Sequence, residues 1–183
     1  MKINIKYNIN LDEFTYDSSL EMRLKNYIDK HFSLAYVISE FAPIYLVGGA
    51  IRDLICARKP KDMDFVVLGK EHLEQVLNVL NDYNIKLNLN KLGGYKFIYE
   101  GIEVDLWLTE DLFSSIQYNV DGLFFDLRIN SLLSLTFDDF VKNGLRLINP
   151  ENNIENGRES KLKSFEEEYL NNDDNSLSIN NWS

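Results

Sequence analysis

The sequence predicts an α+β (mixed α/β) domain in which a small, mixed, antiparallel-leaning sheet is flanked by helices. Three observations point there. Short apolar runs bounded by Gly, Asn and Pro alternate with stretches of helical period. A chain of 183 residues, 45% hydrophobic and 26% charged, can bury one sizeable core but not two ordinary ones. No apolar run approaches the roughly 20 residues that span a bilayer, so a transmembrane protein is not expected. Fibrous and disordered classes are excluded by a composition near the globular average. The single cysteine, Cys56, cannot make an internal disulfide or a cysteine-rich metal site. With no signal-peptide apolar core in MKINIKYNIN, the expected compartment is the cytoplasm.

Along the chain, Ile3, Ile5, Tyr7 and Ile9 alternate with polar residues, which predicts a short edge strand or extended arm. Ser18 and Ser19 precede an apolar stripe through Leu20, Leu24, Tyr27, Ile28 and Phe32, and the helical pattern over 19–41 ends before Pro43. Ile44 to Val47 reads as a strand closed by Gly48-Gly49, AIRDLICAR as a helix, RKPK as a basic turn and Phe65 to Leu68 as the next strand. EHLEQVLNVLND places Leu73, Val76, Leu77 and Leu80 on one helical face. LNLN, YKFIY and IEVDLWL read as strands, the last two as a hairpin about Gly101. TEDLFSSIQ reads as a helix, LFFDLRINSLLSL as an apolar segment after a turn at Asp121-Gly122, and LRLI as a short strand. These place the domain at 1–165, with an acidic, Asn-rich, flexible tail over 166–183.

Charge limits the partners. The formal net charge of −10 and a pI near 4.7 give no general attraction to phosphate backbones or anionic membranes. Residues 151–183, with eight acids and three bases, concentrate that surplus. A compact site with its own cations reverses the field locally, so nucleotide chemistry stays open.

Tyr45 to Val67, YLVGGAIRDLICARKPKDMDFVV, carries the chemical signal. Glycine has no Cβ, so Gly48 and Gly49 can bring backbone N–H groups close to a phosphate; they can equally be an ordinary strand-to-helix turn. Residues i and i+2 of a strand share a face, which points Asp62 and Asp64 the same way. Oxygen-only ligands of this kind select Mg²⁺ or Mn²⁺ over zinc. Asp105, on a strand whose neighbours Val104 and Leu106 face the core, can complete the set; its plain alternative is an exposed strand acid. Three such acids repel one another unless a cation lies among them. Two ions roughly 3.5–4 Å apart would stabilise the attacking and leaving oxygens of a phosphoryl displacement.

Residues 46–67 closely resemble the centre of the class II nucleotidyltransferase head domain, shared by CCA-adding enzymes and bacterial poly(A) polymerases within the polymerase-beta-like superfamily. That family's pattern is an apolar strand, Gly-Gly, a small residue, an aliphatic, Arg-Asp, a basic loop, then Asp-x-Asp and a hydrophobic strand. The resemblance implies that Gly48 and Gly49 hold the triphosphate, Arg52 and Asp53 brace the site, Asp62 and Asp64 bind catalytic metal, and Asp105 is the later acid. A second family motif, Arg-Arg-Asp-Phe-Thr-Ile-Asn-Ala-Leu, is similar to FFDLRINSL at 124–132: Asp126, Ile129, Asn130 and Leu132 are kept, while both arginines are phenylalanines. Asp126, Arg128 and Asn130 are thereby candidate nucleotide-binding residues. LINPENN resembles the family's Ile-Asp-Pro-Phe-Gly-Gly, with Asn149 in place of aspartate. The family's helical neck, body and tail, with a Glu-Asp-x-x-Arg motif, have no counterpart after Pro150, so CCA addition by this chain alone is not expected.

The expected function is metal-dependent transfer of a nucleoside monophosphate from an NTP to a hydroxyl of an RNA end, a small molecule or a protein, with Mg²⁺ or Mn²⁺ as cofactor. The alternatives are a toxin-like enzyme acting on tRNA or protein, and a binding module without turnover, suggested by Phe124 and Phe125. Lys59 and Lys61 read either as phosphate ligands or as a charged turn. Tyr95, Phe97 and Tyr99 read as a core-facing strand rather than a base platform, and His31 and His72 as surface or capping residues. A protein partner or a second copy of the chain is expected to use an exposed Phe124-Phe125 face.

Overall fold

The computed structural model describes residues 18–90, 93–150 and 157–170. The strand or arm expected over 1–9 lies outside them. Helix α1 spans Ser18–His31 and α2 Leu34–Ser39. A strand, β1 (Ile44–Val47), turns at Gly48 into α3 (Gly49–Ile55), and β2 (Asp62–Leu68) follows. Helix α4 (Leu73–Asp82) leads to β3 (Asn88–Leu89), β4 (Tyr95–Tyr99) and β5 (Ile102–Thr109). The chain ends in β6 (Leu123–Asp126), β7 (Ser131–Ser134), α5 (Phe137–Asn143) and α6 (Arg158–Leu170).

One seven-stranded sheet has the order β3-β4-β5-β2-β1-β6-β7. All neighbours are antiparallel except β2 and β5, which run parallel at its centre. The expected mixed, antiparallel-leaning sheet is therefore present. Alternation sorts β2 between two faces. Met63, Phe65 and Val67 join the main core with Leu24, Ile28, Phe32 and Ile38 of the helical layer. On the other face, Val66 packs with Tyr45, Val47, Leu112, Ile116 and Phe124. Phe32 lies 5.3–5.4 Å between ring centroids from Phe65, Phe97 and Tyr99, so Phe97 and Tyr99 belong to the core. The β4–β5 hairpin turns on Glu100 and Gly101, both at positive φ, as a two-residue mirror-type turn requires.

Five expectations change. TEDLFSSIQ is not a helix. It makes one 3₁₀ turn at Phe113–Ser115, because the side chains of Thr109, Asp111 and Ser114 bond local backbone groups in competition with helix. LNLN contributes only two strand residues, and LRLI only a single bridge between Tyr118 and Leu147. Phe124 and Phe125 are 1% and 0% exposed, so they form no outward partner face; Phe124 fills the second cluster and Phe125 the main core. The boundary expected at 165 falls inside α6, where Leu162 and Phe165 are buried and Tyr169 rings pack on Phe137, Phe140 and Phe165. Among the described residues no helix is long and apolar enough to cross a membrane.

Candidate active site

The site is built where β1 ends. Val47 pairs with Asp64 across the β1–β2 ladder, and Asp64 pairs with Asp105 across the parallel β2–β5 ladder. Residues opposite one another on neighbouring strands point to the same face about 5 Å apart, so Asp64 and Asp105 stand side by side, with Asp62 one strand repeat away. The next residue after Val47 is Gly48, at φ +73°. A Cβ there would lie 3.1 Å from Asp64 Oδ2, so the backbone conformation favours glycine and the carboxylate would have to give by a few tenths of an ångström to admit a side chain. At Gly49 a Cβ would meet nothing within 4 Å, which leaves open space over the start of α3.

Like charge dominates the electrostatics. Burial, then the neighbouring carboxylates of Asp62 and Asp105, push the Asp64 carboxyl up to about 7, while Arg52 and Arg158 pull it partly back. Asp105 accepts an ion pair from Lys96 Nζ at 3.2 Å, and Lys96 also reaches Glu103 Oε1 at 2.7 Å. Lys96 lies directly opposite Asp105 on β4, half in solvent, so the pair is weak and exchangeable. The donor set, carboxylate oxygens alone, suits a hard divalent cation. Among the described residues, no three acidic, His or Cys side chains are already gathered tightly enough to hold an ion.

Arg52 and Asp53 part company. Arg52 Nη1 donates to Asp121 Oδ1 at 3.0 Å, a pair 16% and 7% exposed, and so braces the site. Asp53 instead accepts from Arg58 Nε at 3.2 Å on the outside of α3. Lys59 and Lys61 are exposed in the turn before β2.

Three candidates lie elsewhere. Asp126 is opposite Tyr45, two residues back along β1 from Val47, and the chain beyond it runs past Ile44, away from Gly48. Arg128 folds back onto Asp126 at 3.3 Å and onto the Tyr45 hydroxyl at 3.4 Å. Asn130, at φ +51°, accepts from the Tyr36 hydroxyl at 3.0 Å. The antiparallel register of β6 is what carries this segment away from the acids. Sequence reasoning missed two residues that do adjoin the site, Asp121 and Arg158, the latter donating to Asp121 Oδ2 at 3.0 Å. The sequence marks Asp121 only as a turn residue; its burial depends on pairings distant in sequence.

The family model of the poly A polymerase head domain matches residues 44–101, the segment that contains Gly48, Asp62 and Asp64. Over that segment this chain is similar to the poly A polymerase head domain. Its fold is similar to that of a CCA-adding enzyme complexed with ATP (TM-score 0.53, 20% identity) and of the Thermotoga maritima CCA-adding enzyme complexed with tRNA-CCA (TM-score 0.54, 20% identity). The former match covers 72% of this chain and 36% of the neighbour, the latter 74% and 36%. A CCA-adding enzyme complexed with CTP matches at TM-score 0.53 and 19% identity, over 73% of this chain and 37% of the neighbour. The chain thus spans little more than a third of those proteins. No curated protein matched it.

Proposed function

We propose that this head domain transfers a nucleoside monophosphate from an NTP to an acceptor hydroxyl, using Mg²⁺ or Mn²⁺ held by Asp62, Asp64 and Asp105. The observation that carries the reading is the register: Asp64 beside Asp105, Asp62 on the same face, and a glycine at positive φ close against the Asp64 carboxylate. Three acids pressed together raise the cost of their own ionisation, an arrangement that a bound cation reverses. The cation would lower the barrier by polarising the acceptor hydroxyl and neutralising charge on the departing pyrophosphate. The protein's own residues do the rest. Gly48 and the open space at Gly49 admit the phosphates, Arg52 faces them from a buried brace, and the sheet fixes the spacing of the acids.

The neighbours' complexes with ATP and CTP support a nucleoside triphosphate as donor. For the acceptor, the net charge of −10 favours a small molecule, a protein or a short RNA end over extended RNA. A second reading, a nucleotide-binding module without turnover, is favoured by one observation: Phe124 and Phe125 are core residues and Arg128 is neutralised by Asp126, so this segment brings no free cation to the phosphates.

The test is incubation with each labelled NTP and Mg²⁺ in the presence of total RNA, lysate protein or small-molecule extract, comparing wild type with Asp62→Ala and Asp64→Ala. Label transfer lost in both variants is the expected result. Mg²⁺-dependent NTP binding without transfer to any fraction would favour the binding module.

A further inference from the structure

We propose that α6 supplies a triphosphate-binding cation to the site: Arg158 and Arg52, clamped on the two oxygens of Asp121, form one phosphate-facing guanidinium pair. The inference rests on the nucleotidyl-transfer reading and names a residue that this reading does not require.

Asp121 is 8% exposed and its carboxylate is fully engaged. Oδ1 accepts from Arg52 Nη1 at 3.0 Å; Oδ2 accepts from Arg158 Nη2 at 3.0 Å and from the Tyr118 backbone N–H at 3.2 Å. Two guanidinium groups share one carboxylate, so the cluster keeps one uncompensated positive charge. Its place follows from α3: Arg52 lies within one turn of Gly49, where the glycine turn opens the helix, and its bond to Asp121 brings Arg158 to the same end.

Arg158 is incompletely used by this contact. Its side chain is 36% exposed, and its Nε is buried without a hydrogen-bond partner among the described residues. A guanidinium presents five donors in a planar fork matched to phosphate oxygens, and the solvent-facing part of this one can meet them. A surface arginine that merely docked a helix would not need a buried carboxylate shared with Arg52. The packing of Leu162, Phe165 and Tyr169 already fixes α6. Asp121 is therefore a positioning residue that orients both cations, and α6 belongs to the site.

Isothermal titration with Mg²⁺-tripolyphosphate and with inorganic phosphate separates this role from a structural one. Arg158→Gln is expected to weaken tripolyphosphate binding about tenfold or more, the size of one charge-assisted hydrogen bond, with a smaller effect on phosphate. Arg158→Lys should recover part of the loss, because charge returns without the fork. Lys163→Ala, on the same helix and exposed, should bind as wild type. If Arg158→Gln does not fold, Arg158→Lys carries the test, with an expected loss of about threefold. Wild-type tripolyphosphate affinity in the Arg158 variants, with Mg²⁺-dependent binding abolished in Asp64→Ala, would overturn the clamp and leave the reaction intact. An equal loss in Lys163→Ala would also overturn it, as a diffuse field effect. Failure of the wild type both to bind tripolyphosphate and to transfer label would overturn the reaction and the clamp together.

Discussion

The two ends of β1 carry the same kinds of side chain in opposite states. At its start, Asp126, Arg128, Tyr45, Tyr36 and Asn130 satisfy one another through hydrogen bonds and an ion pair. At its end, Asp62, Asp64 and Asp105 crowd like charges, and the acid nearest Gly48 is held far above its ordinary range. Self-satisfied polar clusters stabilise a fold. A cluster that works against its own ionisation is instead a place where a ligand completes the structure. On the proposed function, the difference separates the residues that hold the domain together from those that act.

The comparison breaks most sharply under substitution of the acids. Asp62→Ala or Asp64→Ala should lower label transfer by at least about 10³-fold while leaving the fold intact, as read by initial rates and circular dichroism. Gly48→Ala should follow. Its φ of +73° and the 3.1 Å approach to Asp64 Oδ2 predict a loss of about 1–2 kcal/mol in denaturant unfolding and roughly 10–100-fold in transfer.

Smaller effects sharpen the same contrast. Asp64→Asn should stabilise the metal-free protein at pH 8 by about 1–3 kcal/mol in thermal or denaturant unfolding. The sign follows from the raised carboxyl. From its ordinary value of 3.8 up to about 7, the folded state keeps a proton that the unfolded state has released. Stability therefore falls as pH rises through that window, under the charges of Asp62 and Asp105 and against those of Arg52 and Arg158. The gain in Asp64→Asn should vanish below pH 4. At the opposite end, Arg128→Ala should cost about 1–2 kcal/mol in unfolding, because Asp126 is left buried without its cation, while the KM for NTP stays unchanged. A raised KM would return Arg128 to the nucleotide site.

Much of the active end was legible because it is local. Gly48-Gly49 and Asp62-x-Asp64 lie within 17 consecutive residues, and strand alternation fixes which of them share a face. The hairpin of β4 and β5 was equally legible from Glu100-Gly101. Alternation does not specify partners, however. The parallel pairing of β2 with β5, which sets Asp105 beside Asp64, joins segments separated by α4 and the β3–β4 hairpin, and only tertiary packing decides it. The FFDLRINSL resemblance matched residue types but not location, since register carries Asp126 toward Tyr45. Helix α6 was hidden by Glu166 to Glu168, although Leu162, Phe165 and Tyr169 at spacings of three and four were a helical signal. Asp121 gave none.

The central claim, that Asp62, Asp64 and Asp105 together hold divalent cations, is tested most directly by electron paramagnetic resonance of Mn²⁺ titrated into the protein with an NTP. Relative to NTP and Mn²⁺ without protein, wild type should deplete the free-ion signal further at micromolar to submillimolar Mn²⁺, and Asp64→Asn should add no depletion. Equal depletion by both proteins would place the ion elsewhere and contradict the account.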